Sequence, residues 1–365
     1  MNYFDKYVSN TSAASGSQSW FGYAKDNVCR GRIYYRVFSG GSFDYSFLFS
    51  NTIDSTFSDG LHSHVNLVCD EWELLSASVG VVDSCGVNEP TDPISVTALT
   101  FNGAATKTVA PGEYFSTDPI EITADSGSYL CLEMTYRGRM IPCHPESVIP
   151  AFVFDPDDNK WNWKTELPFP SMVGCTRNVR AKLGFIGDSI TQGCGTYANS
   201  YTHWGAYLAD MLGDEYSYWN LGLGYARASD AASDGTWLFK AKQLDGISVC
   251  FGVNDILRGH TAEQIKNDLT KIIDYLQAAG VRVLIQTVPP FSYEEQYIDT
   301  WNDVNDYIRG TLSKRADAFF DNVPVLFFSE KQPHMAAYGP HPNADGGLAW
   351  ATALLPVMKE FAKNL

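Results

Sequence analysis

A serine, a histidine and two glycine- and asparagine-rich turns are the residues of this chain whose types and spacing could do chemistry. The run Gly187-Asp188-Ser189-Ile190-Thr191-Gln192-Gly193 follows the apolar stretch Leu183 to Ile186, which reads as a strand. An open α/β sheet places its ligand site just beyond the carboxyl ends of its strands, so Ser189 would stand there as a nucleophile. Serine and aspartate are also favoured as caps at β-to-α turns, and the tripeptide alone does not choose between these readings. A second element is Asn220-Leu221-Gly222-Leu223-Gly224-Tyr225. A third is Gly252-Val253-Asn254-Asp255, directly after the apolar stretch Ile247 to Phe251. Backbone N–H groups freed by glycine-rich turns, with an asparagine amide, are the donors that a developing oxyanion requires, although Asn, Asp and Gly are ordinary turn residues too. The fourth element is His341-Pro342-Asn343-Ala344-Asp345-Gly346. A serine hydroxyl needs a base that works near neutral pH, and histidine is that base by default.

The remaining histidines (62, 64, 144, 203, 260 and 334) lack such a context and read as structural. His62 and His64 share one face of a possible strand, but two ligands without a third make a poor zinc site.

The elements that must position these residues follow from periodicity. Beyond Arg177 the strand-like runs Leu183 to Ile186, Ile247 to Phe251, Val281 to Val288 and Val323 to Phe328 alternate with helical patterns, the signature of a parallel sheet covered on both faces. The clearest helix is Thr261 to Ala279. Thr261 with Gln264 makes a capping box, Ile265, Leu269, Ile272, Ile273 and Leu276 form an apolar stripe, and Gly280 stands where the helix should stop. Before Arg177 the texture differs. From Gly31 to Phe154, short runs such as Arg32 to Phe38, Phe47 to Phe49, Ile94 to Phe101 and Ser128 to Thr135 are separated by turn clusters, which predicts an all-β sandwich or barrel. The polar, proline-containing stretch from Asp155 to Asn178 reads as an interdomain connection. The expected organisation is a β-rich accessory domain over 1–176 and an α/β domain over 177–365.

A chain of 365 residues is longer than one core usually organises, which agrees with two domains. With 26 Lys and Arg against 42 Asp and Glu, the formal charge is −16, so nucleic acid and anionic membrane are poor partners and a neutral substrate fits better. No stretch of eighteen apolar residues suggests a membrane span, and the polar start lacks the apolar core of a secretory signal. The expectation is a soluble cytoplasmic chain, or a secreted one if a signal peptide has been removed. Eight scattered cysteines without a C-x-x-C pair argue against a zinc ribbon or a redox motif and read as reduced thiols.

Taken in order, Gly187-Asp188-Ser189, Asn220 to Tyr225, Gly252-x-Asn254-Asp255 and His341-Pro342 resemble the four sequence blocks of the SGNH/GDSL hydrolases. The resemblance covers about Arg180 to the C-terminus. It implies a flavodoxin-like αβα sandwich with a parallel sheet, and an all-β sandwich precedes the catalytic domain in some members. It also implies a serine esterase, with Ser189 as nucleophile and first oxyanion donor through its own N–H. Gly222 or Gly224 would be a second backbone donor, Asn254 a third through its side chain, His341 general base and acid, and Asp188 a supporting residue. No metal or organic cofactor is implied.

Two departures accompany the resemblance. The Asp that usually stands three residues before the base is Tyr338 here, so either another acceptor, such as a backbone carbonyl, Glu330 or Asp345, orients the imidazole, or the pair works as a dyad. In the second block, Gly224-Tyr225 replaces a small residue followed by glycine, which leaves Gly222, Gly224 and even Tyr225 open as the backbone donor. The leading substrate is a small acyl ester of a sugar. The expected partner is thus a small-molecule or oligosaccharide ester, with Trp161, Trp163, Tyr197, Tyr201 and Trp204 as candidates for lining the cleft. A lipid or thioester hydrolase, an acyltransferase and a non-catalytic carbohydrate-binding protein are the competing readings.

Overall fold

The computed structural model describes residues 2–22, 27–55 and 65–365; His62 and His64 lie outside them. The chain divides into two compact units. The first is Met1–Asp54 with Asn66–Asn178, and the second is Val179–Leu365 together with a short stretch whose described ends are Ser55 and Val65.

In the first unit, apolar and aromatic residues fill strands such as Cys29–Arg36, Gly41–Ser50, Trp72–Val82 and Tyr129–Gly138. All of these pair antiparallel, in a five-stranded and a seven-stranded sheet. The two sheets pack against each other through buried aromatic residues. Phe115 stacks on Phe49 of its own sheet at 5.1 Å and meets Trp72 of the other at 6.2 Å. The polar stretch after Asp155 is not a connection but part of this sandwich. Asp155 Oδ1 accepts from the N–H groups of Asp157 and Asp158, and Asn159 takes a left-handed φ of 51°. The run is therefore the turn of a hairpin between Ala151–Asp155 and Lys160–Trp163. Asp and Asn close such turns with their own side chains, so polarity marked a turn rather than a boundary. Met172–Cys175 then pairs with Gly41–Ser50.

The second unit holds a five-stranded parallel sheet: β1 (Ala181–Gly187), β2 (Tyr216–Gly222), β3 (Gly246–Cys250), β4 (Arg282–Gln286) and β5 (Ala318–Phe320). Its spatial order is β2-β1-β3-β4-β5, the doubly wound order whose switch point lies beside β1. Near-continuous burial along β1 to β4 is what a sheet covered on both faces requires. Helix Ala262–Ala278 forms as expected. The Thr261 side chain accepts from the Gln264 N–H, Gln264 reaches back to the Thr261 N–H, the apolar stripe is buried, and Gly280 has a φ of +84°. Helices Trp204–Leu212 and Ala344–Lys363 pack together through Trp204 on Trp350, with ring centroids 5.2 Å apart.

One expected strand is corrected. Val323–Leu326 is a short helix with proline in its first turn, and among the described residues Phe327–Ser329 pairs only with Gln332–Ala336. Pro324 has no N–H to give to a sheet ladder but fits a first helical turn, where that N–H is unneeded. The fifth parallel strand is instead the three residues Ala318–Phe320.

Among the described residues no helix is long and apolar enough to cross a membrane.

Candidate active site

β1, β2 and β3 end level with one another. Gly187 at the end of β1 pairs with Gly222 on one side and Cys250 on the other, so the turns that follow emerge side by side, about 5 Å apart. The three short blocks read from the sequence are these turns.

The first turn enters helix Ser189–Gln192. Asp188, not Ser189, is its N-cap, because the Asp188 carboxylate accepts from the Ile190 N–H at 3.0 Å. Such a cap contributes about 1 kcal/mol and leaves the Ser189 hydroxyl unused by the helix. The Asp188 carboxyl is pushed up to about 7, chiefly by burial and further by the charge of Asp255. Its side chain is buried and caps the helix that Ser189 begins.

Ser189 Oγ lies 2.8 Å from Nε2 of His341. That is hydrogen-bond distance between a hydroxyl and an imidazole separated by 152 positions in the chain. Burial lowers the imidazole pKa below its ordinary 6.5, so the ring is neutral near pH 7 and can take a proton from the hydroxyl. No Asp or Glu pairs with His341 among the described residues, and no carboxylate charge acts on its pKa. Glu330 and Asp345 are both exposed, and neither supplies the acid that Tyr338 replaces.

In the second turn the two glycines differ in their hydrogen bonds. The Gly222 N–H donates to Asn220 Oδ1 at 2.9 Å, while Asn220 Nδ2 donates to the Thr191 carbonyl at 2.9 Å. Gly222 is therefore already satisfied and is not a free donor. Its missing side chain has a steric reason, since a Cβ there would stand 2.2 Å from the Gln192 backbone nitrogen. The Gly224 N–H makes no hydrogen bond among the described residues, nor does that of Ser189. Tyr225, next along, has a left-handed φ of 61°. Two bonds from the third turn hold this loop: Asn254 Nδ2 donates to the Ala226 carbonyl at 3.1 Å, and Asp255 Oδ2 accepts from the Ala228 N–H at 3.0 Å. The Asn254 amide keeps a second N–H.

Ser189, the Gly224 turn, Asn254 and His341 thus stand together at one end of the sheet, Asp188 caps the helix, and the Gly222 N–H is already bonded. Among the suggested aromatic residues, Tyr201 and Trp204 are core, at 5% and 2% exposure, whereas Tyr197 is 87% exposed. Trp161 and Trp163 belong to the strand Lys160–Trp163 of the first unit. Phe291, which no motif indicated, lies against the base: its ring meets that of His341 at 5.1 Å and 82°. Among the described residues no group of three or more His, Cys, Asp or Glu side chains could hold a metal.

Residues 185–347 match the model of the GDSL-like lipase/acylhydrolase family. The chain carries a GDSL-like lipase/acylhydrolase domain. By that domain the protein is an ester hydrolase. No curated protein matches the chain. Among solved structures, it is similar to a member of the lipolytic G-D-S-L family from Veillonella parvula DSM 2008, with 18% identity, 49% of this chain and 98% of that one covered, and a TM-score of 0.40. It is similar to the psychrotrophic esterase EstA from Pseudoalteromonas sp. at 16% identity, covering 50% and 99%, with a TM-score of 0.39. A carbohydrate esterase family 3 structure from Talaromyces cellulolyticus shares 18% identity over 50% of this chain and 99% of its own, with a TM-score of 0.37. In this GDSL-like domain the serine of the first block and the histidine of the last are the pair in hydrogen-bond contact.

Proposed function

We propose that the protein is a serine esterase that removes a small acyl group, acetyl first among them, from a carbohydrate ester. The observation that carries the reading is the 2.8 Å contact between Ser189 Oγ and His341 Nε2. Ser189 attacks the ester carbonyl as its proton passes to His341, and the tetrahedral oxyanion is held by the N–H groups of Ser189 and Gly224 and the free N–H of the Asn254 amide. Collapse breaks the bond to the alcohol, which leaves with the proton from His341. Water then attacks the acyl-enzyme as it gives a proton to His341, and collapse breaks the bond between the acyl carbon and Ser189 Oγ, which takes that proton back from His341 as the acid departs. The net charge of −16 favours an uncharged substrate. Tyr197, exposed on the loop whose Gly195 abuts His341, offers a ring on which a sugar can stack.

The test is a series of p-nitrophenyl acetate, butyrate and octanoate together with an acetylated xylo-oligosaccharide. The expected result is acetate release from the oligosaccharide and a kcat/KM that falls at least about tenfold from acetyl to octanoyl, the order of discrimination a confined acyl pocket provides. A preference for octanoyl would move the assignment to a lipid or thioester hydrolase. Absence of turnover on every ester would favour an acyltransferase or a binding protein.

Asn254→Ala should lower kcat by about 10²–10³ with KM little changed, because an oxyanion donor acts on charge that exists only in the transition state. A change confined to KM, seen in steady-state kinetics, would make Asn254 a substrate contact instead.

A further inference from the structure

Among the described residues no carboxylate pairs with the imidazole of His341. Phe291, in the loop after β4, meets His341 nearly perpendicular, at 82° and 5.1 Å between centroids. On the backbone side stands Gly195, whose φ is +95°. A Cβ there would lie 2.6 Å from the His341 carbonyl oxygen and 2.7 Å from its Cβ, so the loop closes on His341 as only glycine permits. Ser189 Oγ completes the enclosure at Nε2. We propose that Phe291 is the positioning residue for the general base, its ring fixing the orientation of the imidazole that a carboxylate would otherwise fix. The proposal rests on the assignment of His341 as the base of Ser189.

Two physical consequences separate ring packing from a carboxylate. The torsion that turns an imidazole is broad and roughly two-fold, and a perpendicular aromatic neighbour blocks its rotation away from Ser189. Unlike a carboxylate, Phe291 brings no charge that would raise the pKa of the base, and by excluding water it lowers it, in line with the downward shift from burial. The titratable groups on the surrounding elements are Asp188, bonded to the Ile190 N–H; Cys194, beside Gly195; Tyr293, whose hydroxyl donates to the Pro289 carbonyl; and Tyr338 and Asp345 on the segment of His341 itself. None of them acts on the pKa of the ring.

The experiment compares wild type, Phe291→Ala, Phe291→Leu, Phe291→Tyr and Ser189→Ala as full chains on p-nitrophenyl acetate. The readouts are kcat, KM and the pH profile of kcat/KM, with thermal melts to establish folding. Phe291→Ala should lower kcat about tenfold with KM within about twofold, and its acid limb should move to higher pH as water reaches the imidazole. Phe291→Tyr should restore both. Should the alanine variant not fold, Phe291→Leu keeps apolar volume without a planar ring and should show the loss in kcat with the acid limb close to wild type. Unchanged kcat and an unmoved limb in folded variants would overturn the proposal, as would an effect on KM alone, which would make Phe291 a wall of the substrate pocket. Full activity in Ser189→Ala would overturn the underlying mechanism; an inactive Ser189→Ala beside a wild-type-like Phe291→Ala would remove only the role of Phe291.

Discussion

Replacing Ser189 by alanine should abolish ester hydrolysis and leave the fold unchanged. The hydroxyl bonds His341 and plays no part in capping its own helix, because Asp188 does that. Ser189 is nearly buried, and alanine keeps its Cβ and removes one oxygen, so the thermal midpoint should stay within a few degrees. The kinetic loss is of another order. Without the nucleophile there is no acyl-enzyme, and only the oxyanion donors and substrate binding remain. Removal of a serine nucleophile costs on the order of 10⁶ in kcat and leaves a residual of about 10³–10⁴ over water. A burst of p-nitrophenol from wild type and none from the variant, with superimposable melting curves, is the expected pair of results. A burst retained in the variant would remove Ser189 from the chemistry.

The second large effect falls on His341. Alanine there should cost about 10³-fold or more in kcat, since the hydroxyl then has no base and the leaving alcohol no acid. Its pH dependence carries a sign. The base works when unprotonated, so kcat/KM rises as pH rises through the pKa of His341. Burial lowers that pKa, so the half-maximal point of the acid limb should lie below the ordinary 6.5 of imidazole, and His341→Ala should have no such limb. A wild-type midpoint above 6.5 would mean that a negative charge acts on the ring, contrary to the dyad. The same measurement therefore tests the base and the absence of a triad acid.

The candidate site was legible in outline because the residue types that could carry its chemistry stand at the ends of strands. Leu183 to Ile186 and Ile247 to Phe251 are apolar runs of the length that a buried parallel strand requires, and the turns after them had to surface together once the strands paired. What pattern could not resolve were choices among neighbouring backbone groups. Gly222 and Gly224 look alike in sequence, but Asn220 folds back to accept the first N–H and leaves the second open. The hairpin turn at Asp155 resembled a linker because the residues that close turns are also those that fill linkers. Val323 to Phe328 resembled a strand by composition, yet Pro324 favours a first helical turn over a sheet ladder. Phe291 left no trace, because a phenylalanine after a strand is ordinary until its neighbour is known.

Taken alone, the sequence determined an α/β unit after Arg177, the β-rich character of what precedes it, and the serine, asparagine and histidine available for acyl chemistry. These are properties of local periodicity and side-chain type, which travel with the chain. The tertiary structure alone decided that Ser189 and His341 stand 2.8 Å apart, that Gly224 rather than Gly222 keeps a free donor, and that an aromatic ring rather than a carboxylate lies against the base. Each of these is a contact between residues distant in sequence, or a hydrogen bond satisfied by a partner that only folding supplies, and neither leaves a local signature.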